Sequence, residues 1–123
     1  MPKKTKIKWL GEPEPQDYPA SLSYLSLLYS RKTAAAYVKE LKYAAIAEFK
    51  AKDIFRASGL GLLGIGNSHV DKDLKKIHSG GALSPLLLIR DPTHGKVIIA
   101  DGYHRLCAVY VCDEDAIIPC KIA

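Results

Sequence analysis

The chain has little cysteine, three residues in 123, and no Cys-x-x-Cys pair among them. Cys107, Cys112 and Cys120 are odd in number and lack the close spacing a zinc site needs. His69, His78, His94 and His104 do not complete a ligand pattern either, so no metal site is expected. The expectation is reduced thiols packed as small apolar groups. Long apolar runs are also missing: none approaches the ~18 residues of a membrane span. The basic segment 1–8 is not followed by the apolar stretch of a secretory signal. A cytoplasmic protein is therefore expected. No repeat, no low-complexity segment and no aromatic-plus-basic strand motif of an RNA-binding sheet is present.

Apolar residues make up 48% of the chain and charged residues 25%, the balance of a globular protein. The length fits one domain, residues 1–123. The formal net charge is +5, and Lys3, Lys4, Lys6 and Lys8 cluster at the N-terminus. Such a tail is a solvated end, or a weak contact to DNA phosphates that reads no sequence.

Periodicity divides the chain into a helical third, residues 1–45, and an α+β core, residues 46–123. A helix is expected over 17–29, with Leu22, Leu25, Leu28 and Tyr29 on one face and Pro19 in its first turn. A second is expected over 33–43, with Tyr37, Leu41 and Ala44 along one stripe. Residues 30–32 connect them, so the pair can form a hairpin. Its tyrosines provide aromatic area for core packing or for a dimer or partner surface. Alternation then gives a strand over 46–50, and 52–58 reads as a helical turn. Residues 59–66 form a glycine-rich loop. A helix follows over 69–78, capped by Ser68 and stopped by Gly80 and Gly81, with Val70, Leu74 and Ile77 inward. Strands over 86–90 and 96–100 flank the turn Asp91-Pro92-Thr93-His94-Gly95, a strong hairpin signal. A helix over 103–112, with Leu106, Val109 and Tyr110 inward, precedes a last strand over 117–122, where Pro119 suggests an edge. The four strands should form one small mixed sheet with the 103–112 helix packed on it.

Chemistry concentrates at Lys96-Val97-Ile98-Ile99-Ala100-Asp101-Gly102-Tyr103-His104-Arg105-Leu106. A buried strand delivers the chain to a glycine, and a helix starts with His and Arg in its first turn. Free N–H groups at a helix start attract anions. Gly102 permits close backbone approach, Arg105 can grip phosphate with two parallel hydrogen bonds, and His104 can add another. Two cations at a helix N-terminus oppose the dipole unless an anion joins them. The alternative is internal: Asp101 caps the helix, or Arg105 pairs with Asp101 or a loop carboxylate. Lys72 and Lys76 on the preceding helix form a second basic element, with His78 and Ser79 at its end as weaker candidates. Asp101 is the acid adjacent to the motif, and so the candidate general base or metal-side carboxylate. Gly59-Leu60-Gly61-Leu62-Leu63-Gly64 formally matches a dinucleotide fingerprint, but no apolar strand immediately precedes it. It reads as a mobile loop or as a flap over a ligand.

Strand, Asp-Gly-Tyr-His-Arg-Leu, helix and the closing Ile-Pro-Cys-Lys-Ile strand, over roughly residues 47–123, resemble the ParB/sulfiredoxin superfamily. The resemblance implies a nucleotide at this strand-to-helix turn, ATP or CTP with Mg²⁺, with Gly102, Tyr103, His104 and Arg105 around its phosphates and Lys72 and Lys76 facing them. Sulfiredoxins carry their reactive cysteine where this chain has Tyr103, so reductive repair of a sulfinic acid is not expected. ParB partition proteins add a helix-turn-helix module after this fold. This chain ends at Ala123, so that module is not expected. The superfamily also includes free-serine kinases and nucleases. Two functional expectations follow. One is a nucleotide-binding domain that hydrolyses its ligand or transfers a phosphoryl group. The other is a non-enzymatic DNA-associated or protein-binding accessory module.

Overall fold

A computed structural model describes residues 6–123. Lys3 and Lys4 of the basic tail lie outside the described residues. Lys8 falls within a short strand, β1 (Lys8–Trp9).

The architecture is mixed α+β. Four strands form one sheet in the order β2 (Ala47–Lys50), β6 (Ile117–Ile122), β4 (Leu86–Asp91) and β5 (Lys96–Asp101). β4 and β5 make the expected antiparallel hairpin around a 3-10 turn, Pro92–His94, which Gly95 closes at φ 63°. β6 runs parallel to β4 and antiparallel to β2. β1 pairs in parallel with β3 (Ala82–Leu83). At two residues each, these strands are too short to leave a periodic signal in the sequence.

Helices cover both faces of the sheet. Successive side chains on a strand point to opposite faces, so the continuous apolar run of β4 serves two cores. Leu87 and Ile89 join Ala100 under α1 (Asp17–Leu28) and α2 (Arg31–Tyr43), against Leu25, Ala34, Val38 and Leu41. Leu86 and Leu88 face the other way. With Ile99 and Ile118 they meet Ile54 of α3 (Ala51–Ser58), Val70, Leu74 and Ile77 of α4 (Ser68–His78), and Leu106 and Val109 of α5 (Tyr103–Cys112). Burying each such side chain contributes about 1.5–3 kcal/mol. The N-terminal helices therefore form one of the two layers of the fold. Lys121, buried on β6, reinforces that layer: its ammonium donates to the Lys42 carbonyl and pairs with Glu12, both at 3.0 Å.

Several local expectations need correction. The inward positions of α1 are Asp17, Ser21 and Leu25, while Leu28 is half exposed and Leu27 is 82% exposed. The helix is rotated because its first turn buries a polar anchor, Asp17, rather than a leucine. On α2 the buried stripe is Ala34, Val38 and Leu41, with Tyr37 beside it against Tyr29. The cap of α4 is Asn67, whose Oδ1 accepts from the His69 and Val70 amides at 2.9 and 3.2 Å. Ser68 is already helical. On α5, Cys107 and Ala108 are buried with Leu106 and Val109, because three elements surround the helix, and Tyr110 is only half-buried against Phe55. Pro119 is not on an edge strand, since β6 lies inside the sheet. Its missing N–H is tolerated because pairing to β4 begins only at Cys120.

Candidate functional site

The strand-to-helix turn opens into a cleft of about 290 Å³. Six of the seven candidate residues line it: Lys72, Lys76, Asp101, Gly102, His104 and Arg105. The seventh, Tyr103, is not among its walls. Its hydroxyl donates to the Gly61 carbonyl and so ties the glycine-rich loop to the start of α5. His78 and Ser79 also lie outside the cleft lining, Ser79 being engaged with the Lys76 carbonyl.

Gly102 is required by geometry. Its φ is 108°, a conformation L side chains rarely adopt, and an added Cβ would lie 2.7 Å from Leu86 Cγ and 2.9 Å from Arg105 Nη2. No side chain caps α5. Asp101 instead turns to Arg105, whose Nη2 donates to its Oδ2 at 2.9 Å. The same Nη2 lies 3.8 Å from Oδ2 of Asp17, which also accepts from Ser84 Oγ. One guanidinium thus sits between two carboxylates from distant parts of the chain, and its side chain is only 17% exposed. Arg105 Nε is buried and has no partner. Since arginine carries five N–H donors, donor capacity remains for a ligand.

The second wall is α4. His69, Lys72, Asp73 and Lys76 follow one another at i, i+3, i+4 and i+7, the spacing of one helix face. Only the two lysines were picked out from the sequence, although the spacing of all four is visible there. The His69 and His104 rings stack across the gap between α4 and α5 with centroids 4.8 Å apart. Burial holds the His104 imidazole below the usual histidine value, and His69 adds to this, so the ring is biased toward its neutral form. Burial likewise raises Asp73 against the pull of Arg105, His104 and the two lysines. It raises Asp101 against the pull of Arg105, with Asp17 adding to the rise. Glu14, Gln16, Asp17, Leu83 and Ser84 complete the lining. They come from the segment entering α1 and the end of β3 with the loop that follows it, and Ser84 Oγ accepts the Glu14 amide at 3.1 Å. No local pattern marks them, because they meet only through tertiary structure.

The cleft therefore holds three fixed cations, two imidazoles and four acids. Chemically it offers charge-assisted donors for an anion, a neutral imidazole able to accept or relay a proton, and carboxylates held toward protonation. Among the described residues, no group of three or more His, Cys, Asp or Glu side chains is placed to hold a metal ion. Cys107 is fully buried, out of reach of a ligand in the cleft, and burial pushes the Cys120 thiol up to about 11, which disfavours its thiolate. No helix among the described residues is long and apolar enough to cross a membrane.

No family model, curated protein or solved structure matches the chain.

Proposed function

We propose that the cleft binds a phosphorylated small molecule, foremost a nucleotide such as ATP or CTP with Mg²⁺, in a cytoplasmic protein of ParB/sulfiredoxin-like architecture. The observation that carries this reading is the convergence of Arg105, His104, Lys72 and Lys76 on an uncapped helix start. Phosphate would take the free amides of α5, the spare donors of Arg105, and the lysines from the α4 side. Gly102 allows that approach. Asp73 or Asp101 would hold Mg²⁺ or accept a proton from an attacking hydroxyl or water, which gives hydrolysis or phosphoryl transfer a place.

One observation favours the second reading, a non-enzymatic DNA-associated or protein-binding module. Arg105 is already paired with Asp101 and lies near Asp17, as an internal structural role requires. A thermal-shift screen against nucleotides and sugar phosphates, with and without Mg²⁺, separates the two. A ligand at a hundred times its Kd should stabilise the fold by about 2.7 kcal/mol. A flat screen, together with DNA binding that falls steeply with salt, would favour the module.

A further inference from the structure

A second depression lies on the α3 face of the sheet, at the opposite end of β5 from the cleft. We propose that this groove binds an organic monocarboxylate with an apolar body. Strand alternation places Phe49, Ile122, Leu88 and Val97 on one face of the sheet, with Leu88 directly opposite Ile122, and Ile54 and Ala57 of α3 form the facing wall. The space is about 410 Å³, within the range of small-molecule sites. Leu88 and Ile54 are buried at its base, while Phe49 is 39% exposed on the outer strand.

The polar groups at its rim select the charge. Arg90 stands directly opposite Val97 and shares its face. Among the described residues Arg90 is in no ion pair. Of the neighbouring acids, Asp91 Oδ2 is 2.8 Å from His94 Nδ1, and Asp53, which lines the groove on the α3 side, has Oδ1 3.8 Å from Arg56 Nη2. Lys96, the other cation of the rim, lies along Gly59 at the end of α3. An apolar slot with the Arg90 guanidinium and the Lys96 ammonium at its edge, neither in an ion pair among the described residues, matches an alkyl or aryl chain ending in a single carboxylate. A guanidinium meets a carboxylate with two parallel hydrogen bonds, and the chain displaces water from Phe49, Val97 and Ile122.

The test is a methyl and amide NMR titration with octanoate, octanol and octylamine, each below its micelle concentration. Octanoate should give saturable shifts at Ile54, Leu88, Val97 and Ile122. Octanol should bind about ten- to a hundredfold more weakly and octylamine more weakly still, because each loses the charge-assisted hydrogen bonds to Arg90. Arg90→Gln should reduce octanoate to the level of octanol and leave octanol unchanged, and Arg90→Lys should recover part of the loss. Arg90 is exposed, so its substitution leaves the core intact; amide spectra of each variant check this. Absence of saturable shifts in the groove, equal affinity for octanoate and octanol, or an unchanged octanoate affinity in Arg90→Gln would each overturn the proposal. Parallel addition of ATP should shift α5 and α4 signals and leave the groove signals in place.

Discussion

Strand β5 joins two depressions of opposite character. At its Asp101 end, the cleft gathers fixed charges that largely neutralise one another. At its Lys96 end, the groove is mostly apolar, with Arg90, Lys96 and Asp53 at its rim. A ligand in the cleft must compete with internal partners already in place, whereas a ligand in the groove has only water to displace. Substitutions at the turn that holds Arg105 should therefore register first in stability, and substitutions at the groove rim in binding alone.

The largest effect should come from Arg105→Ala. It leaves Asp101 and Asp17 facing each other with the shared cation gone, and breaking a buried pair in this way costs about 3 kcal/mol. Urea denaturation measures it. A loss under about 0.5 kcal/mol would mean that the cleft charges are independent of the fold, which would erase the contrast with the groove. Gly102→Ala comes next. Its positive φ and the clash with Leu86 together should cost about 2 kcal/mol, read from the same denaturation curves. A neutral result would contradict the close packing of Leu86 under the turn.

Asp73→Asn should act in the opposite direction. The folded carboxyl sits above its ordinary value of 3.8 because of burial, so at pH 7 its ionised form costs stability. Removing the charge should therefore stabilise the protein at pH 7, by an amount that solvent screening of this half-buried group keeps small. That gain should fade as the pH drops through the raised value and be gone well below 3.8, where the wild-type carboxyl is protonated in both states. Melting curves across pH check the sign. A gain that persists at pH 3 would point to packing rather than charge.

The strands and helices of the core were legible because each local signal agreed with the tertiary structure. The hairpin had turn residues between two apolar runs, and the 103–112 helix began at a glycine. The inward face of α1 was legible only in part. Leu22, Leu25 and Tyr29 of the expected stripe pack in the core, but Leu28 is half exposed, while Ser21 and Asp17, held by Ser84 and facing Arg105, are buried. Half of the cleft was hidden for the same reason. Asp17 and Ser84 lie 67 positions apart, and nothing near either residue hints at the other. Asp73 and His69 could have been found, since they share one helix face with Lys72 and Lys76.

The smallest structural perturbation gives the most direct test of ligand binding in the cleft. Lys72 is exposed on α4, and Lys72→Ala should change stability by no more than about 0.5 kcal/mol. Calorimetric titration of ATP and CTP with Mg²⁺ into wild type and Lys72→Ala is then free of folding effects. A phosphate-binding cleft predicts measurable affinity in wild type and a roughly tenfold loss in the variant. No heat of binding in wild type, or equal affinity in both proteins, would contradict a nucleotide seated between α4 and α5.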